Sequence, residues 1–177
     1  MDHGNGGDTR NIIDRYKGWM EDLIREDLKK RSFPYAVCME QWQGDFNFGT
    51  LIRNANAFGA QEVFYIGKKN YDRRSTVGTH HYTSVKFLSD LEELKTLRQI
   101  YSNFIGVDNV PGSVEMNSFQ WQPNSLLIFG EEGTGLTKEV IELCDHIVAI
   151  TMYGSVRSLN AGVASGITMN DFVSKMK

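Results

Sequence analysis

Three stretches of the sequence combine side chains that could take part in a reaction with glycines that let a backbone approach a ligand. In the first, residues 47–59 (NFGTLIRNANAFG), Asn47 can cap the start of a helix, and Arg53 follows six residues later between apolar neighbours. An arginine among apolar side chains needs a partner, because an unpaired buried charge is costly. Two interpretations are open: an internal ion pair, or a contact between the Arg53 guanidinium and an oxyanion or phosphate.

The second stretch is the glycine-rich segment 130–137 (GEEGTGLT), which directly follows an apolar run. It resembles a phosphate-binding loop, but Leu136 stands where that loop requires a lysine, and the dinucleotide fingerprint is absent as well. Glu131 and Glu132 would repel a phosphate and would tolerate a cationic or hydroxyl-rich ligand. Open α/β sheets bind ligands at the carboxyl ends of their strands, although a plain strand-to-helix turn is the alternative.

The third stretch, residues 150–166 (ITMYGSVRSLNAGVASG), runs from the end of an apolar strand through a polar loop into a helix of small residues. Small residues let backbones pack closely, so tight core packing explains the helix by itself. The alternative is a loop that folds over a ligand and offers backbone donors.

Taken in this order, the three stretches resemble the signature motifs of the SPOUT class of methyltransferases. They are most similar to the SpoU (TrmH-like) family of RNA 2′-O-ribose methyltransferases, through N-x-G-x-x-x-R, G-x-E-G-x-G-L and I-x-M…S-L-N. The resemblance covers about residues 35–173. It implies S-adenosylmethionine as cofactor, an RNA substrate (transfer RNA, or else ribosomal RNA) and a homodimer. Two alternatives remain: a catalytically inactive knotted RNA-binding protein, and a SPOUT enzyme that methylates a base.

The resemblance also implies roles for individual residues. Five match the polar catalytic positions: Asn47, Arg53, Glu132, Ser158 and Asn160. Seven match cofactor-binding positions: Val107, Gly130, Gly133, Ile150, Met152, Ser158 and Leu159. Arg53 is expected near the reacting ribose oxygen, where it would hold a phosphate or stabilise an alkoxide, since a guanidinium with a pKa above about 12 is a poor base. Glu132 would orient Arg53 or accept a proton, and no metal is required.

The charge distribution points to a surface for RNA. The net charge is −3, yet residues 62–86 contain five Lys or Arg against two acids. A basic segment can bind a polyanion despite a negative total, mostly through phosphate contacts. The predicted RNA-binding residues are Lys68, Lys69, Arg73, Arg74, His80 and His81. A solvated loop without a partner is the alternative.

Alternating apolar and amphipathic segments predict the elements that position these motifs. Strands are expected at 35–39, 62–66, 103–107, 125–129 and 146–150, and helices at 11–31, 51–58, 90–101, 137–144 and 160–175. Uniformly apolar strands that alternate with helices indicate an α/β fold, a mostly parallel sheet with helices on both faces. The resemblance adds a deep C-terminal trefoil knot, which pattern alone could not suggest because knots are almost absent from proteins.

Residues 1–31 are expected to form a disordered start and a helical extension that packs on the methyltransferase domain, 32–177, rather than an RNA-binding arm. The composition, 41% hydrophobic and 23% charged, is typical of a globular protein. Cys38 and Cys144 are too few and too far apart for a disulfide framework or a metal motif, so we expect buried thiols. With neither a secretory signal nor a membrane span in sight, the cytoplasm is the expected compartment.

Overall fold

The computed structural model describes residue 10, residues 12–42 and residues 45–177. Its centre is a seven-stranded sheet, in the order β3-β2-β1-β6-β4-β7-β5, in which every pair of neighbours is parallel. The strands are β1 (Tyr35–Trp42), β2 (Val63–Gly67), β3 (Val85–Leu88), β4 (Asn103–Val107), β5 (Val114–Glu115), β6 (Ser125–Phe129) and β7 (His146–Ala149). The helices are α1 (Glu21–Arg31), α2 (Asp45–Ala57), α3 (Leu91–Thr96), α4 (Lys138–Leu143) and α5 (Ala161–Met176).

Helices cover both faces of the sheet, as the uniformly apolar strands predict. Alternate residues of β1 point to opposite faces. Val37 belongs to a core that includes Phe48 of α2 and Phe172 of α5. Cys38 belongs to a second core with Leu94 of α3, and both Val37 and Cys38 are fully buried. The parallel α/β architecture is therefore confirmed, while the trefoil knot and the domain boundary at residue 32 stay predictions.

The sequence patterns did not predict the two strands at the edges of the sheet. β3 begins at the end of the basic segment. Lys86 is exposed between the partly buried Val85 and Phe87, and only Leu88 is buried. β5 is two residues long, and both are exposed. An edge strand buries less apolar surface than a central one, so its sequence gives a weaker signal.

The single helix expected over 11–31 is wrong in extent. A short 3-10 helix occupies Asp14–Tyr16, and α1 begins only at Glu21. Between them Gly18 takes a φ of 79°, a left-handed conformation that ends a helix and that glycine adopts freely.

The N-terminal segment nevertheless packs on the main domain, as expected. Tyr16 and Ile24 form a small core with Tyr82. The Arg25 side chain donates to the backbone oxygen of His81 at 2.5 Å, and Glu21 lies 3.2 Å from the His81 ring. The described part of this segment is thus tied to the turn before β3.

Helix α2 begins at Asp45, earlier than expected, so Asn47 lies inside its first turn. The predicted capping role of Asn47 is therefore wrong, and its amide is available for other contacts. α2 packs directly against α5, where the Asn54 amide donates to the Gly162 oxygen at 2.9 Å and to the Ser165 hydroxyl at 3.0 Å. A Cβ at Gly162 would lie 2.8 Å from the Thr50 methyl, so the small residues of α5 serve close helix packing.

Helix α3 is shorter than expected and continues as a 3-10 helix, Leu97–Gln99. Both cysteines are free thiols, and burial raises the pKa of Cys144 to about 12 and that of Cys38 further. Over the described residues, no helix has the length and apolar character that crossing a membrane requires.

Candidate active site at the carboxyl ends of the strands

A cavity of about 350 Å³ opens where β4, β6 and β7 end. Its walls come from three loops, within residues 107–110, 129–136 and 150–164. All seven residues predicted to bind a cofactor line it: Val107, Gly130, Gly133, Ile150, Met152, Ser158 and Leu159. The structure therefore brings these positions together, and their contact with a cofactor stays a prediction.

The glycine-rich loop after β6 folds back tightly on itself. The Gly135 amide donates to the Glu131 oxygen at 2.9 Å. A Cβ at Gly130 would lie 2.1 Å from the Gly135 carbonyl carbon, so no other residue fits there without moving the loop. Gly133 and Gly135 take φ values of 99° and 71°, which strain any other residue type. The glycines thus set the shape of one wall of the cavity.

Asp108 fixes this loop to the end of β4, a role that sequence reasoning missed. One carboxylate oxygen, Oδ2, accepts from the Leu136 amide at 2.8 Å, and the other accepts from the Asn109 amide at 2.7 Å. A Cβ at Gly135 would lie 2.4 Å from Oδ2, so the glycine and the carboxylate fit each other. The signal in the sequence that could have identified Asp108 is an acidic residue directly after a buried strand.

The far end of the loop is held by a second carboxylate, also missed. Glu40 of β1 is only 1% exposed, and its oxygens accept from the amide of Thr137 at 3.0 Å and from the Thr137 hydroxyl at 2.5 Å. The Thr137 hydroxyl also caps α4 by accepting from the Val140 amide. Glu40 interrupts an apolar strand, and a buried acid is rarely without such partners.

Three of the five predicted catalytic residues form one polar cluster beside the cavity. Asn47 donates to Glu132 Oε2 at 2.5 Å, and Asn160 donates to the same oxygen at 3.0 Å and to the Asn47 oxygen at 2.8 Å. The Asn160 oxygen caps α5 by accepting from the Val163 amide at 3.2 Å. Each of the three sequence motifs contributes one member, so the cluster joins α2, the glycine-rich loop and the start of α5.

Ser158 lines the cavity and is exposed, whereas Arg53 stands apart from the cluster. Six residues along a helix correspond to about 9 Å of rise, which separates Arg53 from Asn47. Arg53 is exposed and makes no ion pair with the described residues, so the internal ion pair is wrong. The expected contact between Glu132 and Arg53 is also wrong within one chain, because Glu132 is engaged by the two asparagines.

Three carboxylates and one arginine, Arg157, line the cavity. Asp108 and Glu132 are occupied by amide donors, as described above. Glu131 is half-buried, and its side chain has no hydrogen bond or ion pair with another described residue. This excess of negative charge suits a cationic or hydroxyl-rich ligand better than a phosphate. No group of three potential metal ligands occurs among the residues that the structure describes.

The basic segment is partly neutralised by its own neighbours. Arg74 makes a forked contact with Asp72 at 2.5 to 3.0 Å, and Lys86 pairs with Glu62. Arg73 is exposed, as are Lys68 and Lys69 after the end of β2. Arg74 is exposed as well despite its contact with Asp72, so these four cations are the part of the predicted RNA-binding set that faces solvent.

The two predicted RNA-binding histidines serve mainly internal contacts. Their rings stack at 4.3 Å, His81 faces Glu21, and His80 Nδ1 lies 2.5 Å from the Thr76 hydroxyl. Burial, followed by the neighbouring positive charges, lowers the pKa of His80. The histidines thus join the turn to α1.

Comparison with known proteins identifies one matching family and several relatives. Residues 34–170 match the model of the SpoU rRNA Methylase family. The chain is 26% identical to the tRNA (guanosine(18)-2'-O)-methyltransferase of Aquifex aeolicus, over 82% of this chain and 72% of the relative. It is 27% identical to the 23S rRNA (guanosine-2'-O-)-methyltransferase RlmB of Vibrio vulnificus, over 97% of this chain and 73% of the relative.

The same similarity is seen in three dimensions. The crystal structure of the SpoU methyltransferase AviRb from Streptomyces viridochromogenes, in complex with AdoMet, superposes with a TM-score of 0.75 at 25% identity. The match covers 81% of this chain and 58% of AviRb. The chain spans 65% of the length of one further relative and 42% of another.

Replacing Gly135 with alanine is expected to weaken S-adenosylmethionine binding by at least about tenfold. Positive φ costs an L-residue about 1–2 kcal/mol, and the new Cβ would also collide with Asp108 Oδ2. Isothermal titration calorimetry measures the affinity, and a thermal melt confirms that the variant is folded.

The matched control is Gly133→Ala, which has a positive φ of its own but no atom within 4 Å of the added Cβ. We expect a clearly smaller loss of affinity in this variant. Equal losses in both variants would contradict the role of Asp108 in shaping the cavity.

Proposed function

The chain belongs to the SpoU rRNA Methylase family, and from that premise we propose that it transfers a methyl group from S-adenosylmethionine to a ribose 2′-oxygen of RNA. The observation that carries the proposal is the Asn47–Glu132–Asn160 cluster, in which each of the three motifs places one polar side chain beside a common cavity. Relatives named as 2′-O-methyltransferases of tRNA and of 23S rRNA support the same reaction class.

The cavity fits the proposed cofactor in size and in charge. Its volume, about 350 Å³, lies in the range of small-molecule sites, about 300–1,000 Å³. The carboxylate of Glu131 has no partner among the described residues, which suits a ligand with a positive charge and hydroxyl groups. When bound, S-adenosylmethionine supplies a methyl group that its sulfonium sulfur already activates.

The residues of the chain then have to orient the ribose and remove its proton. Asn47 and Asn160 hold Glu132 in one geometry through amide donors. Glu132 Oε2 accepts those two bonds, so its second oxygen is the atom that we assign to the 2′-hydroxyl proton. Ser158 lies on the cavity wall, and we assign it to the junction of cofactor and substrate. Positioning of this kind can supply about 7–11 kcal/mol of such a barrier.

Arg53 is assigned to the RNA backbone rather than to proton transfer. Its guanidinium is exposed and makes no ion pair with a described residue. A planar fork of donors binds a phosphate in two places at once, and a guanidinium holds its proton too tightly to act as a base. We therefore propose that Arg53 holds a phosphate of the substrate near the target nucleotide.

We also propose that the protein works as a homodimer, which the family resemblance implies. Exposed apolar side chains support an interface beside the cluster. Val163 and Ile167 lie four residues apart and therefore on one face of α5, and their side chains are 51% and 41% exposed. Phe46 at the start of α2 is 81% exposed. An apolar face of this kind next to the site is typical of a subunit contact.

Ribose methylation is preferred over the two alternatives. The catalytically inactive protein has no need for three side chains held in mutual contact beside a cavity. A base methyltransferase is disfavoured because the S-L-N motif, with Asn47 and Arg53, belongs to the ribose branch that the chain resembles. Between RNA classes, transfer RNA is proposed first, in line with the relative named as a tRNA (guanosine(18)-2'-O)-methyltransferase. The cytoplasm is the compartment in which such a substrate is found.

The deciding experiment is methyl transfer from labelled S-adenosylmethionine to total RNA, followed by digestion to nucleosides. We expect the label in a single 2′-O-methylnucleoside. Glu132→Gln and Arg53→Ala should each reduce the rate by about 100-fold or more, the range of general-base and oxyanion contributions.

Glu139→Gln is the matched control, because Glu139 is an exposed carboxylate on α4 outside the cavity. Its rate should equal that of the wild type. Label in a methylated base, or full activity in Glu132→Gln, would refute the proposal.

Charge reversal at Arg73 and Arg74 should weaken RNA binding and flatten its salt dependence. Each lost phosphate contact lowers the slope of log affinity against log salt by about 0.7 to 0.9, and we expect most of the effect from Arg73, since Arg74 is held by Asp72. Filter binding at several salt concentrations gives the slope. Lys95→Glu on α3 serves as the control, and an unchanged slope in the double variant counts against this surface.

Replacing Val163 and Ile167 together with aspartate should convert the dimer into a monomer. Two charges placed in an apolar interface remain unpaired, and such burial costs several kcal/mol. Analytical ultracentrifugation measures the mass. Val114→Asp on β5, where the valine is 39% exposed, should leave the dimer intact, and a wild-type monomer would overturn the assignment.

A further inference from the structure

A second groove lies outside the cavity, between α2 and the turn that precedes β3. Its volume is about 420 Å³, and its lining includes Thr50, Arg53, Asn54, Asn56, Val77 and Thr79. The lining contains no acidic residue among those that the structure describes. The groove therefore offers a cation, two amides and two hydroxyls around two apolar side chains, the small Ala57 and the larger Val77.

Val77 occupies the most unfavourable backbone position of the turn. Val77 takes φ 51° and ψ 41°, in the left-handed region. A β-branched residue is an outlier there, and this side chain is also 56% exposed. Neither backbone preference nor core packing accounts for a valine at this place. Glycine or asparagine would adopt the same turn at lower cost.

The surrounding structure holds the strained turn in place. The Val77 amide donates to the Arg74 oxygen at 3.1 Å and so closes a 3-10 helix, Arg73–Thr76. The buried Thr76 hydroxyl bonds to the Arg73 oxygen at 2.7 Å and to His80 Nδ1 at 2.5 Å. Strain that neighbouring contacts enforce in this way occurs preferentially at functional positions.

The two walls of the groove pack closely against each other. A Cβ at Gly49 of α2 would lie 2.1 Å from the Ser75 hydroxyl, so the helix and the turn are in close contact. The Asn56 amide also donates to the Thr83 hydroxyl at 3.3 Å, which ties α2 to the far side of the turn. The groove is thus formed before any ligand arrives, which lowers the entropic cost of binding.

We propose that this groove is a subsite for one unpaired nucleobase of the RNA substrate, with Val77 as its apolar platform. The inference rests on the proposed function, because it needs an RNA strand whose phosphate lies at Arg53. The methyl groups of Val77 would pack on one face of the base, and the Arg53 plane would stack at its side. Asn56 and Thr79 supply polar groups for the edge of the base.

The test compares two short, fluorescein-labelled strands of equal length and charge: oligoadenylate, and an abasic ribose-phosphate oligomer. Fluorescence anisotropy gives the affinity of the full chain for each strand. Wild type should bind oligoadenylate more tightly. Val77→Gly should lose about fivefold or more of that affinity, the range of one base stack, and should bind the abasic strand as wild type does.

Val77→Ile is the matched control, because isoleucine keeps both the β-branch and the apolar surface, and it should bind oligoadenylate as wild type does. Glycine relieves the strained backbone, so the melting temperature of Val77→Gly should equal or exceed that of wild type. A purely structural role for Val77 would lower the melting temperature and leave both affinities unchanged.

Three outcomes overturn the inference. Unchanged oligoadenylate affinity in Val77→Gly shows that no base contacts the groove. Equal losses for both strands show a backbone contact instead of a base contact. A wild type that binds no RNA at all, while it still binds S-adenosylmethionine, removes the RNA substrate and therefore the proposed function itself.

Discussion

Two carboxylates that hold a glycine-rich loop determine the geometry of the whole site. Asp108 binds the Leu136 amide from the end of β4, and the buried Glu40 binds Thr137 from the end of β1. Both contacts fix the C-terminal end of the loop that carries Glu131 and Glu132. Because Thr137 also caps α4, the same contacts join the loop to a helix on the other side of the sheet. The cavity forms where β4, β6 and β7 end, and its shape depends on the contacts that hold the glycine-rich loop.

The polar cluster brings together side chains from three separate elements that the fold holds in place. Asn47 belongs to a helix on one face, Glu132 to the pinned loop and Asn160 to the cap of α5, yet their side chains meet within 3.0 Å. The direct packing of α2 on α5, through Asn54 and the small residues of α5, sets the distance between the two asparagines. A carboxylate held by two amides loses much of its side-chain freedom, and a reaction that depends on orientation gains from that.

The sequence predicted the central strands and the parallel α/β class, because uniformly apolar strands leave strong local patterns. The residues around the cavity came from the family resemblance. Prediction failed where the outcome depends on three-dimensional neighbours. Asn47 was expected to cap a helix, but α2 begins before it and its amide turns to Glu132. Arg53 was expected beside Glu132, but helix geometry carries it into another groove. Glu40 and Asp108 gave only the weak signal of an acid near an apolar strand, since their partners are backbone amides far away in the sequence.

The edges of the sheet limit the ways in which the molecule can associate with itself. β3 has an exposed lysine at its centre, paired with Glu62, and β5 is only two residues long. Charged or very short edge strands are poor templates for another chain, because added strands need a regular row of free backbone groups. Growth of the sheet from one molecule to the next is therefore blocked at both ends. Contacts between copies are left to the helical surface, where side-chain fit can select one defined arrangement over open-ended aggregation.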